Sequence, residues 1–293
     1  MGGIIDFIAN FFGYILNFFY ELVKNYGLAI ILFTLVLRVV LLPLTIKQQT
    51  TMRKSAKIQG KLKKIQEKYK GNQEKINKET MALYKSENMS PFSGCLSAII
   101  QILLLLSVFY LVSRPLTHMK RIDPTVIQSY TDEIKQDENS QKSNYPEIDI
   151  IKAKGPVDER VNINMHFLGL DLSSVPSGSW KDPRVYVIPL LYVVSSVVSM
   201  RLMTNMNSKN KEKDKEDDKE IEVGDKPKEK TEMDMAESMN KNMMYIMPVM
   251  SVIISFIAPL GLALYWLINN LLMIVERIVI FKYLEEKEKK NNA

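Results

Sequence analysis

Hydrophobic positions along this chain fall in long blocks, separated by equally long polar ones. Five blocks are apolar enough over sufficient length to predict membrane-spanning helices: Gly27–Ile46, Phe92–Val112, Val185–Met203, Met243–Ala258 and Leu260–Phe281. The fourth is short and Pro259 follows it at once, so the last two are predicted to form a tight helical hairpin. The amino-terminal segment is patterned differently. Asp6, Asn10, Asn17, Glu21 and Lys24 recur at helical spacings and draw one polar stripe. The other face carries Ile4, Ile5, Phe7, Phe11, Ile15, Phe18, Phe19 and Leu22. An aromatic-rich amphipathic helix of this kind lies in the membrane interface. The alternative is an uncleaved signal-like span, against which the segment lacks a basic start and carries Asp6. The pattern predicts an all-α polytopic membrane protein with five spans around a polar interior.

The polar blocks set the expected topology. Between 47 and 90 the chain has twelve Lys/Arg against four Asp/Glu, which marks a cytoplasmic loop. Between 113 and 182 it has nine against eleven, which fits the outer face. The N-terminus is therefore expected outside and the C-terminus in the cytoplasm. The expected order is an outer interfacial helix (1–26), a first span (27–46), a cytoplasmic basic hairpin (47–90), a second span (91–112) and an outer loop with an insertion (113–182). A third span (183–204), a charged cytoplasmic linker (205–241), two further spans (242–258 and 259–281) and a cytoplasmic tail (282–293) follow.

Within the first cytoplasmic loop, Ile58, Leu62, Ile65 and Tyr69 step as a helix seam does, and Ile76, Thr80 and Leu83 do the same after a break at Lys70-Gly-Asn-Gln73. That predicts a two-helix antiparallel hairpin with a basic outer face, a surface suited to ribosomal RNA or lipid headgroups. The same lysines could instead be a solvated face that obeys the topology rule. The outer segment 122–159 is polar and poor in aromatics, and is expected to be partly disordered. Val161–Met165 alternates as a short strand does, and His166–Leu172 reads as an interfacial re-entry. Lys209–Glu232 is almost all Lys, Glu and Asp and reads as a flexible linker.

One residue breaks the first span. Arg38 sits inside an otherwise apolar run, where a guanidinium costs on the order of 2.5–3.5 kcal/mol at the helix centre and cannot shed its proton. It either snorkels toward the inner interface or faces polar partners inside the protein. Thr34 lies four residues earlier, on the same helix face. Gln101, Ser195, Ser196, Ser199, Asn269, Asn270 and Glu276 are the other polar residues at span depth. Ser195 and Ser199 share a face, and Glu276 is the candidate ion-pair partner for Arg38. For the serines and threonine, a hydrogen bond to their own helix backbone is the plainer reading.

Composition adds mainly exclusions. A mean hydropathy of −0.06 averages the blocks away. Cys95 is the only cysteine, which rules out an intramolecular disulfide. His118 and His166 have no ligand-spaced companions and read as solvated loop residues, not a metal site. No phosphate-binding loop, nucleophile elbow or dinucleotide fingerprint is present, so no catalytic, cofactor-binding or metal-binding residues are expected, and no enzymatic activity.

Taken in order, the segments resemble the YidC/Oxa insertase family of bacterial YidC, mitochondrial Oxa and chloroplast Albino proteins. The matching residues are Gly27-Leu-Ala-Ile-Ile, Arg38 and Leu42-Pro-Leu-Thr-Ile-Lys-Gln-Gln49; Leu83-Tyr-Lys, Gly94-Cys-Leu and Ile100-Gln101; and Phe167-Leu-Gly-Leu-Asp-Leu172. Met244-Tyr-Ile-Met-Pro248 and Pro259-Leu-Gly-Leu-Ala-Leu-Tyr-Trp-Leu-Ile-Asn-Asn270 complete the set. Ser97 stands where the family commonly has proline, and Ile102-Leu-Leu-Leu replaces its usual Met-Pro-Ile-Phe. The chain looks like a short Gram-positive-type member. The resemblance implies a bacterial plasma-membrane insertase and chaperone whose five core helices surround a hydrophilic groove, closed toward the outside. The groove arginine would be Arg38, a neighbouring groove contact Thr34, and the aromatics along which substrate slides Tyr265 and Trp266. Implied partners are nascent membrane proteins, the ribosome through the basic hairpin and tail, the Sec translocon and the phospholipid bilayer, with the protein acting as a monomer. A secondary transporter or channel, and a ribosome- or lipid-binding scaffold, are the alternatives from other classes.

Overall fold

The computed structural model describes residues 3–89, 93–136, 144–179, 181–216 and 249–291, and for some of these the backbone only. The fold is helical: α1 (Gly3–Val23), α2 (Tyr26–Lys68), α3 (Gln73–Ser86), α4 (Ser93–Ser113), α5 (Pro124–Gln136), α6 (Pro146–Lys154), α7 (Val187–Glu216), α8 (249–257) and α9 (Leu260–Asn291). A two-residue-per-strand hairpin, β1 (His166–Phe167) and β2 (Leu170–Asp171), is the one sheet among the described residues. Among those residues, Gly3–Val23, Tyr26–Lys68, Pro183–Met206 and Leu260–Leu284 contain stretches long and apolar enough to cross a membrane, and 99–113 forms a shorter apolar helix. Residues 243–248 of the fourth predicted span lie outside the described residues, and the rest includes α8. Length alone would let α1 cross a bilayer too, since its 21 residues rise about 32 Å.

The chain divides into two compact units. The first comprises Met1–Arg38, Leu105–Arg201 and Glu222–Val275; the second Val39–Leu104, Leu202–Ile221 and Glu276–Ala293.

In the first unit, Ala9, Phe12, Leu16 and Tyr20 of α1 are buried, as are Ala29, Ile30, Phe33 and Leu37 of α2. The rings of Phe12 and Phe33 meet edge to face at 5.7 Å. Opposite its buried face, α1 exposes Ile4, Phe7, Phe11, Tyr14, Phe18 and Leu22 at helical spacing, an apolar stripe suited to lipid. The polar stripe of α1 is not simply a water face. The Asn10 carboxamide oxygen accepts from Nδ1 of His118 at 2.8 Å, and His118 is buried, so it is not the solvated loop residue expected. His118 belongs to a π-helical turn, Leu116–Lys120, that packs closely on α1. Gly13 permits the approach: a Cβ there would lie 1.9 Å from the His118 carbonyl oxygen. Lys120 closes the contact, with Glu21 at 2.8 Å and the Tyr20 ring at 4.6 Å.

The polar segment 122–159 holds more structure than its composition suggests. Helices α5 and α6 bury Ile134, Ile148, Ile150 and Ile151, and Tyr130 reaches Asp158 at 2.9 Å. Four isoleucines on two short helices suffice for a small core, which a composition average does not register; residues 137–143 lie outside the description. Val161, Ile163 and Met165 alternate buried with exposed Asn162 and Asn164, as a strand would, but no strand among the described residues pairs with them. His166–Leu172, expected as an interfacial re-entry, has regular backbone pairing. It is the β-hairpin, turned by Leu168 (φ 49°) and Gly169 (φ 77°), the paired positive φ values of a type I′ turn.

The second unit contains a two-helix hairpin, α2 and α3, in the segment where the sequence predicts one. Gly71 (φ 87°) makes the turn and Asn72 caps α3, accepting from the Lys75 amide at 3.0 Å. Ile58, Ile76 and Thr80 are buried, and Lys61 meets Glu87 at 2.7 Å. The boundaries differ from expectation in one consistent way. Helix α2 runs unbroken from the first span through Pro43 to Lys68, α7 runs on to Glu216, and α9 to Asn291. Lysine and glutamate are good helix formers, so helices continue past the point where apolarity stops. The rest of the predicted linker, 217–241, lies outside the described residues.

Candidate functional site

The interior stripe of α2 in the first unit is Ile30, Phe33, Thr34 and Leu37, all buried, while Leu35 and Val36 are exposed. Arg38 is the next residue on the interior side, four beyond Thr34. It lies about 18 Å along α2 from Tyr26. Its guanidinium turns toward α9 instead of running along its own helix. Nε donates to the Asn269 carboxamide oxygen at 2.9 Å, and Nη2 lies 3.4 Å from the Asn269 backbone carbonyl. Thr34 is fully buried and donates to the Ile30 carbonyl at 2.6 Å, a bond within its own helix.

The face of α9 around Asn269 is equally specific. Tyr265 and Trp266 are buried, and the Trp266 ring lies 6.1 Å from that of Tyr192 on α7. Asn270 donates to the Ser195 hydroxyl at 2.9 Å and lies 3.5 Å from that of Ser196. Ser195 donates in turn to the Tyr192 carbonyl at 2.9 Å. Ser199 is buried one turn further along α7. The structure thus brings Arg38 to Asn269, and Ser195 to Asn270. Gln101 and Glu276 belong to the second unit: Gln101 is exposed on α4, and Glu276 is partly buried on α9.

Sequence reasoning did not find the Asn270–serine link, because two adjacent polar residues on a span do not reveal which neighbouring helix each one meets. It also missed Ser107 and Ser255, both fully buried. Glu147 was hidden in the polar insertion. Its carboxylate accepts from the Thr117 amide at 3.0 Å and the Thr117 hydroxyl at 2.5 Å. Burial nevertheless pushes its carboxyl above the usual range. Burial likewise holds the His118 imidazole below its ordinary value, with Arg114 adding to that and Asp6 opposing it.

At one end of this unit the connecting segments are stitched across the helix starts. The Asn25 side chain caps α2, accepting from the Leu28 amide at 3.1 Å, and donates to the His166 carbonyl at 2.7 Å. The Tyr26 amide bonds the Asn164 carbonyl at 3.0 Å. At α9, the Leu260 and Gly261 amides bond the Ser174 and Leu172 carbonyls, both at 2.9 Å. Phe167 lies flat enough on α2 that a Cβ at Gly27 would come within 2.5 Å of its ring.

Comparison with known proteins identifies the family. The family model of the 60Kd inner membrane protein matches residues 18–288, nearly the whole chain. The chain belongs to that family. It is 25% identical over 282 residues to the membrane protein insertase YidC of Fusobacterium nucleatum, covering 96% of this chain and 98% of that one. To the membrane protein insertase YidC of Pseudoalteromonas translucida it is 29% identical over 287 residues, covering 97% of this chain but 38% of that one. A third relative of the same name, from Caldanaerobacter subterraneus, is 37% identical over 102 residues, 35% of this chain and 50% of the other. The chain therefore spans nearly all of one relative and well under two thirds of the other two. As a member of the 60Kd family it is an all-α, multi-pass membrane protein.

Proposed function

We propose that this chain is a membrane protein insertase and chaperone. It takes the polar tail of a nascent membrane protein toward Arg38 in the inner leaflet and releases the adjoining apolar helix sideways into lipid. The observation that carries the reading is Arg38 itself: a guanidinium at span depth, turned to the protein interior and held by the neutral amide of Asn269. A positive charge there attracts acidic tails and shortens the apolar distance they must cross. Partition of the substrate helix into lipid, with the membrane potential acting on the tail, supplies the drive. The names of the relatives support the same reading.

The loop charges favour an outside N-terminus and a cytoplasmic C-terminus. With that orientation the stitched ends of α2 and α9 lie outside, which argues against a channel or transporter with a route through. The basic α2–α3 hairpin then projects into the cytoplasm, where it suits the ribosome; the Sec translocon is a further proposed partner, and Gln101, Ser199, Tyr265 and Trp266 remain proposed groove contacts.

Arg38→Ala and Arg38→Lys, expressed in cells depleted of their own insertase, test this. Insertion of substrates with acidic tails should fall about tenfold or more with alanine and survive largely with lysine. Full insertion by the alanine variant would contradict the proposal, and solute flux through the purified protein in liposomes would favour the transporter.

A further inference from the structure

Asn269 and Asn270 are consecutive on α9, about 100° apart around the helix, and they bind in different directions. Asn270 reaches α7, donating to Ser195 at 2.9 Å with Ser196 at 3.5 Å. Both serines and Asn270 are buried. In a lipid-facing bundle such a polar link fixes the rotation of one helix against another, because the alternative is an unsatisfied amide in an apolar medium. With α9 set by that link, the next side chain back, Asn269, presents its carbonyl oxygen to Nε of Arg38 at 2.9 Å, and its own backbone carbonyl faces Nη2 at 3.4 Å. Two acceptors from one residue fix the plane of the guanidinium as well as its position.

The identity of the residue matters. An aspartate at 269 could offer the same oxygen and would pair more strongly with an arginine. It would also set a negative charge against the one that an acidic tail needs. Asparagine orients the guanidinium and adds no charge of its own. We infer that Asn269 is the positioning residue that makes Arg38 selective for acidic tails, with Asn270 and Ser195 holding α9 at the rotation this requires. The inference rests on the insertase reading above and adds the source of its charge preference.

The test compares two versions of one short membrane-protein substrate, identical except for two aspartates or two lysines in the translocated tail. Insertion of both is measured in cells carrying the wild-type chain, Arg38→Ala, Asn269→Asp or Asn269→Leu, normalised to the amount of each protein in the membrane. The quantity read is the acidic-to-basic insertion ratio, which simple structural damage would leave unmoved because it lowers both. Asn269→Asp should lower the ratio about tenfold, toward that of Arg38→Ala, by supplying a permanent counter-charge. Asn269→Leu, which keeps the charge balance but removes the side-chain acceptor, should lower it by about threefold. A wild-type ratio in both Asn269 variants beside a shifted ratio in Arg38→Ala would overturn this inference alone. A wild-type ratio in Arg38→Ala would overturn the groove-charge reading and the inference with it.

Discussion

Single residues decide whether α1 sits where it does. Gly13 meets the His118 carbonyl so closely that Gly13→Ala must push α1 away, at a cost of about 1–3 kcal/mol. Faster hydrogen exchange at the α1 amides of that variant would register the loss, and wild-type protection would contradict it. The same contact is expected to respond to acid. His118 is buried against Asn10 and favours its neutral form. Released α1 therefore binds more protons than docked α1 as pH falls through about 6.5, and docking weakens in that window. Asp6 opposes the shift and Arg114 adds to it, while Glu147, raised by burial, works in the opposite sense at lower pH. Exchange of the α1 amides, corrected for its intrinsic pH dependence, should rise between pH 7.5 and 5.5 in the wild-type chain and stay flat in His118→Asn. At this scale Arg38 was legible because a charge in an apolar run is an energetic anomaly wherever the fold puts it. His118, Asn10 and Asn270 were not, since each takes its meaning from a neighbour far away in the chain.

Elements were legible where their periodicity was strong and their ends were punctuated. Ile58, Ile76 and Thr80 fell on the seam expected of them, and Gly71-Asn72 turned the chain between them. Asn72→Ala should remove the α3 cap and cost about 1 kcal/mol, seen as lower helicity or earlier protease cleavage near residue 73. An unchanged cleavage pattern would assign the turn to Gly71 alone. Helices α2, α7 and α9 run past the expected spans because lysine and glutamate end a hydrophobic block without ending a helix. At 43 residues α2 is about 65 Å long, twice the hydrocarbon thickness, so the first span and the first arm of the hairpin form one continuous rod. The α5–α6 pair was lost to an average over a polar segment whose few isoleucines happen to converge.

Across the whole molecule the alternation of apolar and polar blocks carried most of the information, and the family relationship agrees with it. Orientation is testable directly. With Cys95 replaced by serine, a single cysteine at Gly71 should be shielded from an impermeant thiol reagent in intact cells, and one at Val157, which is exposed, should react. The reverse pattern would invert the topology and place Arg38 in the outer leaflet. In the proposed mechanism a substrate's polar tail passes along the side of α2 that carries Arg38. A photo-crosslinking residue at Leu42, one turn beyond Arg38 on the same side of α2 and itself exposed, tests it with the arginine intact, and Val40, exposed on the opposite side of the helix, is the control. In cells with a stalled nascent membrane protein, position 42 should capture the acidic tail, position 40 should not, and Arg38→Ala should abolish the capture. Equal capture at 40 and 42, or capture that survives loss of the arginine, would contradict that mechanism.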